Sequence, residues 1–169
     1  DYYTYLLSIP KVLEWNPKMD TQTHPYLEID KENFSEILPD KKNIGYLLAP
    51  DMNSSTAKQT AIPEKDISSL IDTKNINFIN LSEIKDIDVL AGIIQNLDLV
   101  MCVESDLAYL AGSLNIPTFL ILSVVPKHLW DLSYKSTSPW YPSLELFRQE
   151  TSGDWANVIN EIQGRLTSV

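Results

Sequence analysis

The sequence predicts a doubly wound α/β domain, in which a mainly parallel sheet carries helices on both faces. From Asn43 onward, short apolar runs of strand length alternate with segments of helical periodicity. Such alternation with short connections is typical of parallel strands joined by right-handed crossover helices. Several runs are apolar on both alternating faces, which is the pattern of strands that helices cover on both sides.

The predicted strands are apolar runs of strand length. They cover residues 44–49, 76–81, 99–103 and 117–122, with a shorter strand near 144–147 that follows a long loop. The order of elements from the first strand is therefore β-α-β-α-β-α-β, a loop, a strand and a final helix. We find no internal repeat and no low-complexity segment.

Helical periodicity is clearest behind Asp86, a residue type that caps helix N-termini. Apolar side chains follow it at i, i+3, i+4, i+7 and i+10, in the order Ile87, Leu90, Ala91, Ile94 and Leu97. This spacing places them on one face of a helix. Similar spacing predicts helices over 107–114 and 155–166, and residues 63–71 form a further candidate with Pro63 near the first turn.

The first 43 residues differ from the rest. They contain four prolines and six aromatic residues, Tyr2, Tyr3, Tyr5, Trp15, Tyr26 and Phe34. Because proline interrupts long elements, we interpret residues 1–43 as a connector or the tail of a preceding domain, and residues 44–169 as the α/β domain. Residues 1–8 are expected to form a short helix before Pro10, and the later part to lie over the domain surface through its aromatic rings.

Composition excludes several classes of protein. The net charge of −10, with no basic run longer than Lys41-Lys42, disfavours nucleic acid as a partner. The apolar runs fall far short of the roughly 20 residues that a membrane-spanning helix needs. The single cysteine, Cys102, rules out an intramolecular disulfide framework and fits a reducing, cytoplasmic setting. Within an apolar run, Cys102 is expected to be a core residue rather than a nucleophile.

Ligands of an open parallel sheet bind outside the carboxyl ends of the strands, near the point where strand order reverses. Four predicted loops lie there, at residues 50–58, 82–85, 104–106 and 123–142. The glycine-rich phosphate motifs are absent, and His24 and His128 are isolated, so neither a dinucleotide cofactor nor a metal site is expected. Residues suited to catalysis are not evident, and the catalytic residues stay unassigned.

The turn after the third predicted strand is the first candidate site. Glu104, Ser105 and Asp106 lead directly into a helix, whose unpaired backbone N–H groups and dipole can hold a phosphate. Ser105 and Tyr109, four residues apart, share the side of this helix opposite its apolar stripe. The alternative is that Glu104 or Ser105 merely caps the helix and that Tyr109 is a partly exposed aromatic residue.

The second candidate site is Ser138-Pro139-Trp140-Tyr141-Pro142. Two prolines stiffen the backbone around two aromatic rings, which can present flat faces to a base or a sugar. The alternative is that the rings pack against the sheet edge. The long loop that ends at this motif begins with Ser123, directly after the fourth predicted strand.

These segments together resemble a known family. Residues 96–112 read NLDLVMCVESDLAYLAG, and SPWYP at 138–142 precedes LFRQ at 146–149. Over residues 86–150 the pattern is similar to the C-terminal half of bacterial GT-B glycosyltransferases of the heptosyltransferase-like group, particularly those fused to tetratricopeptide repeats. The resemblance implies a Rossmann-like fold that binds a nucleotide-sugar donor as substrate, without metal. An upstream N-terminal GT-B or repeat domain would complete the active site.

On this resemblance, the predicted donor-binding residues come from loops at the carboxyl ends of the strands. They are Pro50, Asn53, Glu104, Ser105, Asp106, Tyr109, Ser123, Trp140 and Tyr141.

Some positions depart from the family pattern. Glu104-Ser105 replaces the family's Asp-Thr pair, and Tyr109 replaces a histidine, so this position carries no positive charge toward a diphosphate. The alternative interpretation is therefore a catalytically inactive relative that acts as a scaffold or protein-interaction domain. A third interpretation, a freestanding hydrolase or small-molecule-binding α/β domain, requires a nucleophile constellation that the sequence does not reveal.

Overall fold

Strands and helices alternate in the computed structural model, which describes residues 8–14, 25–30, 34–49, 61–126, 130, 136–138 and 140–168. The elements in chain order are α1 (Ile9–Val12), β1 (Lys42–Leu47), α2 (Glu64–Ile71), β2 (Ile76–Asn80), α3 (Ile87–Ile94), β3 (Leu99–Val103), α4 (Asp106–Ser113), β4 (Thr118–Leu122), β5 (Leu144–Arg148) and α5 (Ala156–Ser168).

The five strands form one sheet in the order β2-β1-β3-β4-β5, and each neighbouring pair is parallel. This arrangement confirms the predicted doubly wound, Rossmann-like α/β fold. The chain extends the sheet from β1 to β2 in one direction and then continues with β3 on the other side of β1. Strand order therefore reverses between β1 and β3, and this is the topological switch point of the sheet.

Each face of the sheet has its own apolar core. Val100 and Cys102 of β3 point to the face covered by α3 and α4, whereas Leu99, Met101 and Val103 point to the face covered by α2 and α5. All five side chains are buried, as the two-sided apolar pattern predicted. The alternation of side chains along a strand thus converts one continuous apolar run into two cores.

The predicted and observed ends of β1 differ because a polar residue belongs to this strand. Asn43 pairs with Asn77 in the β1–β2 ladder, although the apolar run begins only at Ile44. Its buried amide donates to the carbonyl oxygens of Leu38 and Lys41, each at 3.0 Å. These bonds satisfy a polar group inside the fold. At the other end, Leu48 is buried but lies beyond the last residue of β1.

The short helix expected over residues 1–8 stays a prediction. A helix that we did not predict, α1, spans Ile9–Val12 and includes Pro10. Proline is tolerated in the first turn of a helix, where its missing N–H has no intrahelical partner. Residues 1–7 lie outside the described residues.

Part of the predicted connector packs on the domain. Phe34 and Ile29 contact the core beneath α3 and α4, and Tyr26 stacks on Tyr141. The expected attachment through aromatic rings is confirmed for Tyr26 and Phe34, whereas Tyr2, Tyr3, Tyr5 and Trp15 lie outside the described residues. Because β1 begins at Lys42, the predicted boundary between residues 43 and 44 falls inside a strand. The division into connector and domain itself stays a prediction.

The predicted cap of α3 is confirmed. The Asp86 carboxylate accepts hydrogen bonds from the backbone N–H groups of Asp88, at 2.9 Å, and Val89, at 3.3 Å. Two of the N–H groups that every helix leaves unpaired at its start are satisfied in this way. The short connection from β2 to α3 is thereby fixed at the carboxyl edge of the sheet.

We expect Gly45→Ala to destabilise the domain by about 1–3 kcal/mol, because overpacking forces buried side chains from their preferred positions. A Cβ at Gly45 would lie 2.8 Å from Leu81 Cδ1 and also overlap Leu97 Cδ1. The matched control is Gly164→Ala in α5, whose Cβ would face open space. This control should gain about 0.5–1 kcal/mol from the higher helix propensity of alanine. Urea unfolding measures both changes, and equal effects at the two sites would contradict the packing argument.

Candidate functional site

A cleft of about 390 Å³ lies where strand order reverses, between the carboxyl ends of β1 and β3. Its walls are mainly apolar and include Leu47, Leu81 and Leu90. Four polar residues complete the described lining, namely Ser82, Lys85, Ser105 and Asp106. We call this space the switch-point cleft. Apolar walls with a few polar groups are typical of sites for small ligands.

Ser105 and Asp106 reach the cleft because β3 runs directly into α4. Ser105 occupies the N-cap position, but its hydroxyl donates to the Val103 carbonyl oxygen at 3.0 Å and makes no capping hydrogen bond. The Asp106 carboxylate is in the first turn, where the positive end of the helix dipole favours an anion. Ser105 therefore occupies the N-cap position, as the capping alternative expected, but its side chain does not cap the helix.

Lys85 is a cleft residue that we did not predict. Its ammonium group donates to the Ser82 carbonyl oxygen at 2.6 Å, which keeps it near the end of β2. Among the described lining residues, Lys85 is the one that carries a positive charge. The sequence feature that could have identified Lys85 is its position in the 82–85 loop, which is one of the four loops predicted at the carboxyl edge of the sheet. Lysine side chains are common on surfaces, so the residue type alone gave no reason to select it.

Glu104 faces a different partner from its neighbours in the turn. The indole N–H of Trp130 donates to Glu104 Oε1 at 2.8 Å, and Trp130 is fully buried. The Trp130 carbonyl oxygen accepts from Arg148 Nη2 at 2.9 Å. Trp130 therefore connects an acidic residue after β3 with a basic residue at the end of β5.

Three further rings continue from Trp130 across α4. Tyr109 stacks on Trp130 with ring centroids 5.3 Å apart, and Tyr141 lies 6.3 Å from Trp130 and 6.5 Å from Tyr109. Tyr26 stacks on Tyr141 at 6.4 Å. We call these four residues the aromatic row. At these distances aromatic rings prefer offset or tilted arrangements to face-to-face stacking.

Tyr141 lies directly on the backbone of α4. A Cβ at Gly112 would be 2.5 Å from Tyr141 Cγ, so only glycine permits this approach. The Ser138 hydroxyl accepts from the backbone N–H groups of Trp140 and Tyr141, which shapes the turn that presents the rings. Tyr141 is therefore packed, as the alternative expected, but against α4 and not against the sheet edge. Trp140 is partly buried, and Pro139 lies outside the described residues.

The structure brings together only part of the predicted donor site. Ser105 and Asp106 line the switch-point cleft. Tyr109 and Tyr141 belong to the aromatic row, and Glu104 contacts that row through Trp130. Ser123 follows β4, is buried, and donates to the Val125 carbonyl oxygen at 3.2 Å. Pro50 and Asn53 lie outside the described residues, as does the rest of the 50–58 loop. Their predicted contribution to the donor site stays a prediction.

The surroundings of Tyr109 make its hydroxyl harder to ionise than an ordinary phenol. Burial raises its pKa above the ordinary value, and the negative charges of Glu104 and Asp106 raise it further. A histidine can carry a positive charge, but a tyrosine phenol is neutral when protonated and negative when ionised. Tyr109 therefore contributes no positive charge near the start of α4.

Within the described residues, no group of three or more His, Cys, Asp or Glu side chains is arranged to hold a metal ion. The isolated histidines, His24 and His128, lie outside those residues. None of the described helices is long and apolar enough to cross a membrane.

Comparisons with protein-family models, curated proteins and solved structures found no match to this chain.

We expect Cys102 to resist alkylation in the folded protein. Its side chain is fully buried, and loss of hydration raises its pKa to about 12, although a hydrogen bond with Ser105 partly opposes this shift. The thiolate is the reactive form, so iodoacetamide at pH 8 should label the native chain at least about 100-fold more slowly than the urea-unfolded chain. Since Cys102 is the sole cysteine, mass spectrometry gives an unambiguous readout. Similar rates in both states would show that the thiol is accessible.

Proposed function

We propose that this chain is the donor-binding domain of a GT-B glycosyltransferase-like protein, which transfers a sugar to an acceptor when the complete active site is present. The switch-point cleft is the observation that carries the proposal. It lies where open α/β sheets bind their ligands, and Ser105 and Asp106, which belong to the segment that resembles the family, line it. An upstream N-terminal GT-B or repeat domain and a cytoplasmic setting belong to the same proposal.

The polar lining suits different parts of a nucleotide sugar. The Lys85 ammonium group can contact a phosphate, together with the first N–H groups of α4. The Ser105 hydroxyl can join them once it rotates away from the Val103 carbonyl oxygen. The Asp106 carboxylate can accept hydrogen bonds from sugar hydroxyl groups. Leu81 and Leu90 offer apolar contact to a ring.

The balance of charge favours weak donor binding. One lysine and one aspartate among the described lining residues give no excess positive charge, and the whole chain has a net charge of −10. A departing nucleoside diphosphate develops negative charge that an active site must stabilise. Further cationic groups from the upstream domain are therefore part of the proposal for an active enzyme.

The proposal predicts that at least one of a panel of UDP-, GDP- and ADP-sugars binds the chain, as measured by calorimetry or ligand-observed NMR. Lys85→Ala should weaken that binding about tenfold, because a charge-assisted contact is lost. The matched control is Lys74→Ala, an exposed lysine just before the amino end of β2, which should bind like wild type. Absence of binding of every donor at millimolar concentration would overturn the proposal.

The second candidate is a catalytically inactive relative that serves as a scaffold or protein-interaction domain. The surroundings of Tyr109 favour it, because this ring stacks on Trp130 and its phenol is near Glu104 and Asp106. The full-length gene product, incubated with the same donors, distinguishes the two candidates. Sugar transfer or donor hydrolysis eliminates the inactive relative, whereas a stable protein partner without nucleotide binding or turnover favours it.

A further inference from the structure

Residues 25–30 form a short strap over the C-terminal ends of α3 and α4. The Ser113 carbonyl oxygen accepts hydrogen bonds from the backbone N–H groups of Tyr26, at 3.1 Å, and Leu27, at 3.4 Å. The Gln95 amide donates to the Ile29 carbonyl oxygen at 2.8 Å. Ile29 also packs against the core beneath these helices. The strap is therefore attached at both helix ends.

This attachment is shallow. Tyr26 and Leu27 are 49% and 42% exposed, and Pro25 and Glu28 are exposed as well. Segments with few buried apolar contacts open at a lower free energy than the core of the same domain. We therefore expect the strap to detach without unfolding of the sheet.

Tyr26 connects the strap to the aromatic row. Its hydroxyl oxygen lies 2.7 Å from Ser113 Oγ and 3.2 Å from the Tyr141 hydroxyl. Ser113 Oγ also donates to the Tyr109 carbonyl oxygen, at 2.6 Å. The three hydroxyl groups and the stacked Tyr26 and Tyr141 rings form one connected set of contacts.

The row continues from Tyr141 to the edge of the switch-point cleft. Tyr141 contacts Tyr109 and Trp130, and Trp130 donates its indole N–H to Glu104. Glu104 immediately precedes Ser105, which lines the cleft. Contacts are thus continuous from a detachable segment to the turn between β3 and α4.

We propose that the strap is a regulatory latch for the switch-point cleft: when Tyr26 is docked, the aromatic row holds the Glu104–Ser105 turn in place, and release of the strap loosens that turn. An unbroken series of contacts does not by itself show that two sites are coupled. The test therefore measures whether a change in the strap alters the local stability of the turn. The latch depends on the proposed function only for the identity of the ligand in the cleft.

Hydrogen exchange measured by mass spectrometry tests the latch without any ligand. Tyr26→Ala should raise exchange rates about fivefold both in residues 25–30 and in residues 104–109, since hydrogen bonds and stacking are lost. Exchange in α2, on the other face of the sheet, should not change. The control is Tyr46→Phe, because Tyr46 packs edge-on against Phe78 in the other core. Faster exchange confined to residues 25–30 would overturn the proposal.

Two further variants guard against general destabilisation, which would raise exchange in α2 as well. Tyr26→Phe keeps the ring and removes only the hydroxyl, so it should give a smaller change with the same distribution. Gly112→Ala displaces Tyr141 from α4 and should accelerate exchange in residues 104–109 while the backbone bonds of the strap remain. If neither variant affects residues 104–109, the latch is absent.

Ligand binding separates this inference from the proposed function. If the wild-type chain binds a nucleotide sugar, Tyr26→Ala should weaken binding, and the ligand should slow exchange in residues 25–30, because coupling between two sites is reciprocal. Binding that leaves the strap unaffected would overturn the latch and preserve the proposed function. If no nucleotide sugar binds, the proposed function fails, and the exchange experiment still decides whether the latch exists.

Discussion

Strand β3 must bury both of its faces, and the rest of the domain depends on this constraint. It lies in the middle of the sheet, between β1 and β4, and all five of its side chains are buried. A strand in this position requires a layer of helices on each side. The two cores, the crossover direction and the reversal of strand order beside β3 follow from that requirement. The switch-point cleft exists because the reversal separates the loops that follow β1 and β3.

The sequence was sufficient to predict the elements that bury apolar side chains. The bounds of β3 and the Asp86 cap were predicted correctly because each depends on a local pattern. The start of β1 was not, because Asn43 is held by hydrogen bonds with Asp98 and Asn77, which lie 55 and 34 residues away in the chain and which the residue type does not reveal. Hydrogen bonds between distant segments decide such positions, and apolar periodicity carries no information about them.

The candidate site also combines residues that local sequence patterns predict with residues that long-range contacts place there. Ser105 and Asp106 were predicted because a strand that leads directly into a helix is a local feature, and the structure brings both to the cleft. Lys85 was missed, since its place beside them depends on how β2 and α3 pack against β1 and β3. Trp130 lies within the long predicted loop at residues 123–142 and was not singled out there, because its contact with Glu104 spans 26 residues. The position of an aromatic ring within a loop is set by such long-range contacts and not by neighbouring residues.

Trp130 also has a mechanical consequence for the sheet. It joins Glu104, after β3, to Arg148, at the end of β5, so it braces two strands that β4 separates. A brace of this kind resists sliding or separation of the strands that it connects, because any such motion breaks partly buried hydrogen bonds. The part of the sheet from β3 to β5 is therefore the more rigid part. Deformation of the carboxyl edge is easier on the side of β1 and β2, where the described residues contain no equivalent brace.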